Sequence, residues 1–232
     1  MPHEEEHRNV TSGGARAAVF GMSDGLVTNV SLILGVAGAH PAASVVRLAG
    51  LAGLVAGSFS MAAGEYVSMS AQRELVEHEL DVERRALAET PEGETEELVE
   101  IFTRKGLAPG LARRLAMEVM ADPDLALETH AREELGVDPN ALGNPVAAAI
   151  SSFVAFTIGA SIPLLPWLLG SGTAAVIWSV TLSALAAVAL GAALGRLTGR
   201  SPVRGALRQL AVAAVAAGVT YGIGRAVGSR TL

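Results

Sequence analysis

From Pro139 to Gly195 the chain runs 57 residues without a single Asp, Glu, Lys or Arg. A water-soluble surface needs charge at roughly a quarter to a third of its positions, so a stretch of this length has no place on one. About 20 apolar residues cross the hydrocarbon of a bilayer as a helix, and the run is long enough for two crossings. Gly170-Ser171-Gly172 marks the turn between them. Charged residues make up only 17% of the 232-residue chain, against roughly 25% in an average soluble domain.

The same criterion gives five spans: about Ala15 to Ala39, Leu48 to Ser70, Pro145 to Leu169, Thr173 to Gly195, and Gly205 to Gly224. His40 and Pro41 connect the first two, and Arg208 lies close enough to the end of the fifth to snorkel. The first residues, MPHEEEHRNV, lack the basic and apolar regions of a signal peptide, so the first span is expected to remain in the mature protein. Basic residues favour the cytosolic side. An N-terminus inside puts Arg8, Arg16, Arg196, Arg200 and Arg204 there with Arg208 nearby, and leaves Arg47, Arg225 and Arg230 outside.

Residues 73–140 hold 18 acidic and 8 basic residues, a net −10, whereas the remainder has 5 and 9, a net +4. Acid concentrated in one polar insert draws cations and is the wrong sign for nucleic acid. The insert reads as helices. Residues 71–88 continue the second span without a breaker. Pro91 opens a helix that Gly106 stops, another starts near Pro109 and ends by Asp122-Pro123, and a last one runs from about Asp124 to Leu135 before Gly136. The expected fold is therefore all-α, a polytopic membrane protein. It divides into 1–72 with helices 1 and 2, a cytosolic helical insert over 73–140, and 141–232 with helices 3 to 5.

Asp24 falls within the first span, where a carboxylate costs roughly 2.5 kcal/mol or more and by default marks an ion or proton path. Thr28 and Ser31 share its helical face, a polar stripe expected to face the bundle interior. In the second span Ser58, Met61, Glu65, Ser68, Met69 and Gln72 recur at three- and four-residue steps. A thioether and a carboxylate on one face suit a first-row transition ion better than Ca²⁺ or Mg²⁺. In the insert, Glu79 with Glu83, Glu94 with Glu97, and His130 with Glu134 are pairs one turn apart. Packed helices can bring such pairs to one metal-binding point; each pair is also compatible with an ordinary solvated face. Cysteine is absent, which removes thiolate sites. No nucleophile elbow, Walker loop, zinc-protease or dinucleotide motif occurs, so the chain does not read as an enzyme. Gly21 and Gly25, Gly191 and Gly195, and Gly218 and Gly222 are pairs that permit close helix packing or dimerisation.

With Asp24-Gly25-Leu26-Val27-Thr28, Ser60-Met61, Gly64-Glu65-Tyr66, Arg73-Glu74-Leu75 and Glu134-Leu135-Gly136 around an acidic insert, the chain resembles the vacuolar iron transporter family from about Asn9 to the last span. The resemblance implies a homodimer in membrane lipid that exchanges Fe²⁺ for protons and moves metal out of the cytosol. It implies a path lined by Asp24 and Met61, and metal binding by Glu83, Glu94, Glu97 and Glu134. Ala86 stands where a further glutamate is expected and His130 where a methionine is expected. Imidazole in that place broadens the choice of ion toward Zn²⁺, Co²⁺ or Mn²⁺.

The leading reading is a proton-coupled divalent-metal transporter, Fe²⁺ first, in a bacterial cell membrane. The alternative is a membrane-anchored metal-binding or sensing protein that transports nothing and has no need of Asp24. A membrane enzyme built on a carboxylate metal site ranks last, because the paired Glu-x-x-His motifs of a di-iron bundle are missing.

Overall fold

A computed structural model describes residues 13–229, with side chains from Arg16 onward. Among the described residues there is no strand. The helices are α1 (Gly13–Gly38), α2 (Ala43–Glu89), α3 (Pro91–Arg104), α4 (Pro109–Met120), α5 (Pro123–Glu133), α6 (Pro145–Leu169), α7 (Gly172–Leu197) and α8 (Pro202–Gly228), with a 3-10 turn at Pro139–Ala141 before α6. Five of them, α1, α2, α6, α7 and α8, are long and apolar enough to cross a membrane. At 1.5 Å per residue the 47-residue α2 measures about 70 Å, over twice the ~30 Å hydrocarbon thickness, so only its apolar first half can lie in lipid. The all-α, five-span expectation holds, and α8 extends the fifth span at both ends.

The packing forms two units: one takes the chain up to Val67 and again from Pro145, the other takes Ser68–Asn144. In the first, α1 lies centrally against α6 and α8. Apolar lipid offers no hydrophobic drive between helices, so association rests on close packing and interhelical hydrogen bonds. Both are present. A Cβ on Gly25 would collide with the Phe156 carbonyl, and one on Gly159 with the Met22 carbonyl, so α1 and α6 touch backbone to backbone at this crossing. Asn29, fully buried, donates from Nδ2 to the Ala160 carbonyl at 2.6 Å. Gln209 donates from Nε2 to Ser23 Oγ at 2.6 Å, and Thr220 donates to the Ser31 carbonyl at 2.7 Å, tying α8 to α1.

These contacts also set directions. α1, α6 and α8 run parallel, since Gly21 meets Ser152, Gly25 meets Phe156 and Gly38 meets Tyr221. α7 is antiparallel to α8, with Gly191 on Gly205 and Gly195 on Pro202. Arg16, Arg196, Arg200, Arg204 and Arg208 consequently gather at one end of this unit, and Arg47 and Arg225 at the other. Arg8 and Arg230 lie outside the described residues. Arg47 donates from Nε to the Trp167 carbonyl at 2.7 Å and from a terminal nitrogen to the Gly170 carbonyl at 3.2 Å. It thus caps the last carbonyls of α6, where a cation also meets the negative end of the helix dipole.

α6 contains Pro163 and Pro166, which withdraw two backbone donors from an otherwise apolar helix. Side chains of neighbouring helices bond carbonyls along this stretch: Ala160 from Asn29, Trp167 from Arg47, and Pro163 from Ser179 at 2.8 Å.

The second unit contains the polar end of α2 with α3, α4 and α5. Leu98, Ile101 and Phe102 on α3 pack on Ala112, Ala116 and Val119 of α4 at helical spacing. Proline occupies the first position of all three short helices, where its missing N–H costs nothing.

Two of the three glycine pairs are consumed within the chain, Gly21/Gly25 on α6 and Gly191/Gly195 on α8, while Gly218 and Gly222 meet no other atom. Gly25→Ala is therefore expected to cost about 1–3 kcal/mol through overpacking. Gly218→Ala is expected to be neutral or stabilising by up to ~1 kcal/mol from helix propensity. Thermal unfolding of the two purified variants in detergent checks the contrast, and equal behaviour refutes the crossing.

Candidate metal centre

Glu83 lies on α2, Glu94 in the first turn of α3 and His130 in the last turn of α5. The two acids in the first turn of α3, Glu92 and Glu94, complement its positive end. α5 is held by Asp122, whose side chain accepts from the N–H groups of Asp124 and Leu125. Lys105 and Glu133 pair between the end of α3 and the end of α5.

One ligand atom from each of Glu83, Glu94 and His130 lies within 4.8 Å of the others. His130 Nδ1 is 3.2 Å from Glu83 Oε1 and 3.7 Å from Glu94 Oε2. The 3.2 Å approach lies within hydrogen-bonding distance, yet neither Nδ1 nor Oε1 has a hydrogen-bond partner among the described residues. Three potential ligand atoms held close together, with His130 Nδ1 and Glu83 Oε1 unbonded to one another, leave donors that a cation could use. Ligand atoms ~2.1 Å from an ion stand about 3 to 4.2 Å apart, so the three need close by only a few tenths of an ångström. Imidazole nitrogen with carboxylate oxygen suits a first-row divalent ion better than Mg²⁺ or Ca²⁺, which take oxygen.

Two more carboxylates act on the same point. Burial and then the charges of Glu94, Glu134 and Glu97 push Glu83 from 4.5 up to about 7. Burial, with Glu97 and Glu94, also raises Glu134. Burial lowers His130 against the upward pull of Glu94 and Glu97, favouring the neutral imidazole that binds metal. Of the six insert residues singled out by spacing, five thus form one electrostatic group. Glu79 is half-buried and is not among the charges that act on Glu83.

The span residues are placed as follows. Asp24 is half-buried and accepts a hydrogen bond from Thr28 Oγ1 at 3.1 Å. Thr28 itself is exposed and Ser31 buried, which corrects the expected inward-facing stripe: it runs from the surface of the single chain into its core. Met61 is half-buried. Glu65 pairs with Arg16 at 3.3 Å, a partner that spacing on α2 could not show. Ser58 is buried on Thr157 Oγ1 at 2.8 Å, and Met69 is buried against Gly143, so both serve packing. Sequence reasoning missed Asn29 and Gln209, the polar ties of α1; an Asn and a Gln within apolar spans were the available signal.

Comparison with known proteins adds independent findings. A model of the VIT family matches residues 15–225. The vacuolar iron transporter of Acanthamoeba castellanii (strain ATCC 30010 / Neff) is 38% identical over 163 residues, covering 69% of this chain and 59% of that protein. Vacuolar iron transporter 1 of Oryza sativa subsp. japonica is 30% identical over 230 residues, covering 98% of this chain and 91% of that one. Vacuolar iron transporter 1 of Arabidopsis thaliana is 30% identical over 168 residues, covering 72% and 66%.

A metal must displace the proton from Glu83, so binding is expected to weaken as pH falls below about 7. Between pH 7 and pH 6 displacing this one proton corresponds to roughly a fivefold loss in affinity, approaching about tenfold per pH unit further down. Without metal the sign reverses: the folded state holds its Glu83 proton from pH 4.5 up to about 7 while the unfolded state has released it. Apo stability from this group therefore falls as pH rises through that window. Calorimetry of Fe²⁺ or Mn²⁺ binding to the intact protein, in buffers of different ionisation enthalpy, reads the proton release. Binding that is independent of pH, or unchanged in a Glu94→Gln/Glu97→Gln/Glu134→Gln variant, reduces the cluster to a solvated face.

Proposed function

The chain belongs to the VIT family, and from that premise we propose that this integral membrane protein carries Fe²⁺ out of the cytosol in exchange for protons. The convergence of Glu83, Glu94 and His130 carries the reading, because three potential ligand atoms within 4.8 Å of one another are what a divalent ion would need. The names of the relatives support iron as cargo.

In this reading the cluster, with Glu97 and Glu134, collects the ion, and His130 extends the range toward Mn²⁺, Co²⁺ and Zn²⁺. Asp24, Met61 and Glu65 form the path. A carboxylate such as Asp24 cannot hold a proton and a cation at once, which would couple the two movements. Glu65 is engaged by Arg16, so an ion arriving there competes with a guanidinium that is itself 73% exposed and easily displaced. The protein acts as a homodimer, with its acidic insert in the cytosol. A metal-binding protein without transport would keep the cluster and leave Asp24 without a role.

In proteoliposomes an imposed pH gradient is expected to drive Fe²⁺ uphill, with Mg²⁺ and Ca²⁺ carried poorly. Asp24→Asn is expected to abolish that flux in a protein that remains folded, and Met61→Ala to narrow the preference for Fe²⁺ over Mn²⁺. Undiminished flux in Asp24→Asn, or flux indifferent to the gradient, overturns the mechanism.

A further inference from the structure

At the end of the first unit that gathers Arg196, Arg200, Arg204 and Arg208, the carboxylate of Glu65 is taken by Arg16, and helices α7 and α8 bring no acid of their own. From Pro139 to Leu232 the chain contains no Asp or Glu, and none of the four arginines has a carboxylate partner among the described residues.

The turn that brings them together is well defined. Gly199, at φ +66°, ends α7: its N–H donates to the Arg196 carbonyl at 3.2 Å, and the Arg200 N–H donates to the Gly195 carbonyl at 2.8 Å. This is the paired bonding of a Schellman stop, which needs a residue tolerant of the left-handed region. Pro202 then opens α8, and Ser201 Oγ accepts from the Arg204 N–H at 3.5 Å. Arg204 and Arg208 follow one turn apart.

Local electrostatics do not account for this placement. Arg196, in the last turn of α7, meets the negative end of its helix. Arg204 and Arg208 stand in the first two turns of α8, where the helix is already positive and a cation is disfavoured. Together with Arg200, Thr198 and Ser201 they line an open cleft of 780 Å³. Leu197, Val203 and Leu207 beside it are exposed, and α7 and α8 are both helices fit to cross a membrane. A basic cleft between helix ends, bordered by apolar side chains, matches a phosphate group that carries acyl chains.

We propose that this α7–α8 cleft binds the phosphate of an anionic phospholipid headgroup, held by Arg200, Arg204 and Arg208, with Leu197, Val203 and Leu207 against its acyl chains. Orientation by basic residues accounts for the number of charges at this end but not for their convergence on a cleft.

The test uses the intact protein in non-ionic detergent, titrated separately with phosphatidylglycerol, phosphatidylcholine and inorganic phosphate, and read by native mass spectrometry and thermal midpoint. Phosphatidylglycerol is expected to bind and raise the midpoint, and the other two to do neither at the same concentration. Arg204→Gln/Arg208→Gln is expected to weaken phosphatidylglycerol binding roughly 30-fold, while Arg225→Gln at the opposite end leaves it unchanged. If the glutamine pair does not fold, Arg204→Lys/Arg208→Lys keeps the charge but loses the planar fork, and is expected to lose about threefold or more. Equal binding of phosphatidylcholine, a midpoint shift reproduced by inorganic phosphate, or full binding in the variant that folds overturns the proposal.

Discussion

Inside hydrocarbon no water is available to a backbone N–H or C=O, so each must find its partner within the protein. The spans are consequently helices, and neighbouring helices add side-chain bonds to their carbonyls. α6 shows this most clearly. Its two prolines remove donors, and Asn29, Ser179 and Arg47 each bring a side-chain donor to a carbonyl of the same stretch. Those three bonds join α6 to α1, α7 and α2. The glycine contacts at Gly25 and Gly159 add the close approach that apolar burial cannot enforce in lipid.

The insert is governed by water and charge instead. A small core of Leu98, Ile101, Phe102, Ala112, Ala116 and Val119 fixes α3 on α4. Around His130 the structure holds together groups that repel one another: Glu83 and Glu134 are both raised by neighbouring carboxylates as well as by burial. They lie beside a fully buried imidazole that makes no hydrogen bond among the described residues. The acid of the insert and the base at the α7–α8 turn are two sides of one division of charge along the sequence.

Much of this was legible from residues alone. Helix boundaries in the insert follow Pro91, Pro109, Pro123, Gly106 and Gly136, since proline and glycine act through their own backbone geometry. Glu83, Glu94, Glu97, His130 and Glu134 were marked by one-turn spacing; the structure brings ligand atoms of Glu83, Glu94 and His130 within 4.8 Å of one another, with the charges of Glu97 and Glu134 acting on Glu83. Glu79 satisfies the same spacing rule and is not one of the charges acting on Glu83. The Asp24 stripe was placed inward, but its Thr28 is exposed, because periodicity names a face without naming what covers it.

The sequence by itself determined the all-α class, the five apolar spans and the segregation of charge, because each depends on composition and on periodicities of three to four residues. Only the tertiary structure decided that His130 is buried among carboxylates 36 to 47 positions away, that Glu65 answers Arg16, and that Asn29 reaches Ala160 across 131 residues. Such pairings depend on which helix faces meet. That is fixed by the steric fit of glycines, alanines and small polar side chains over the whole bundle, and no local window of sequence contains it.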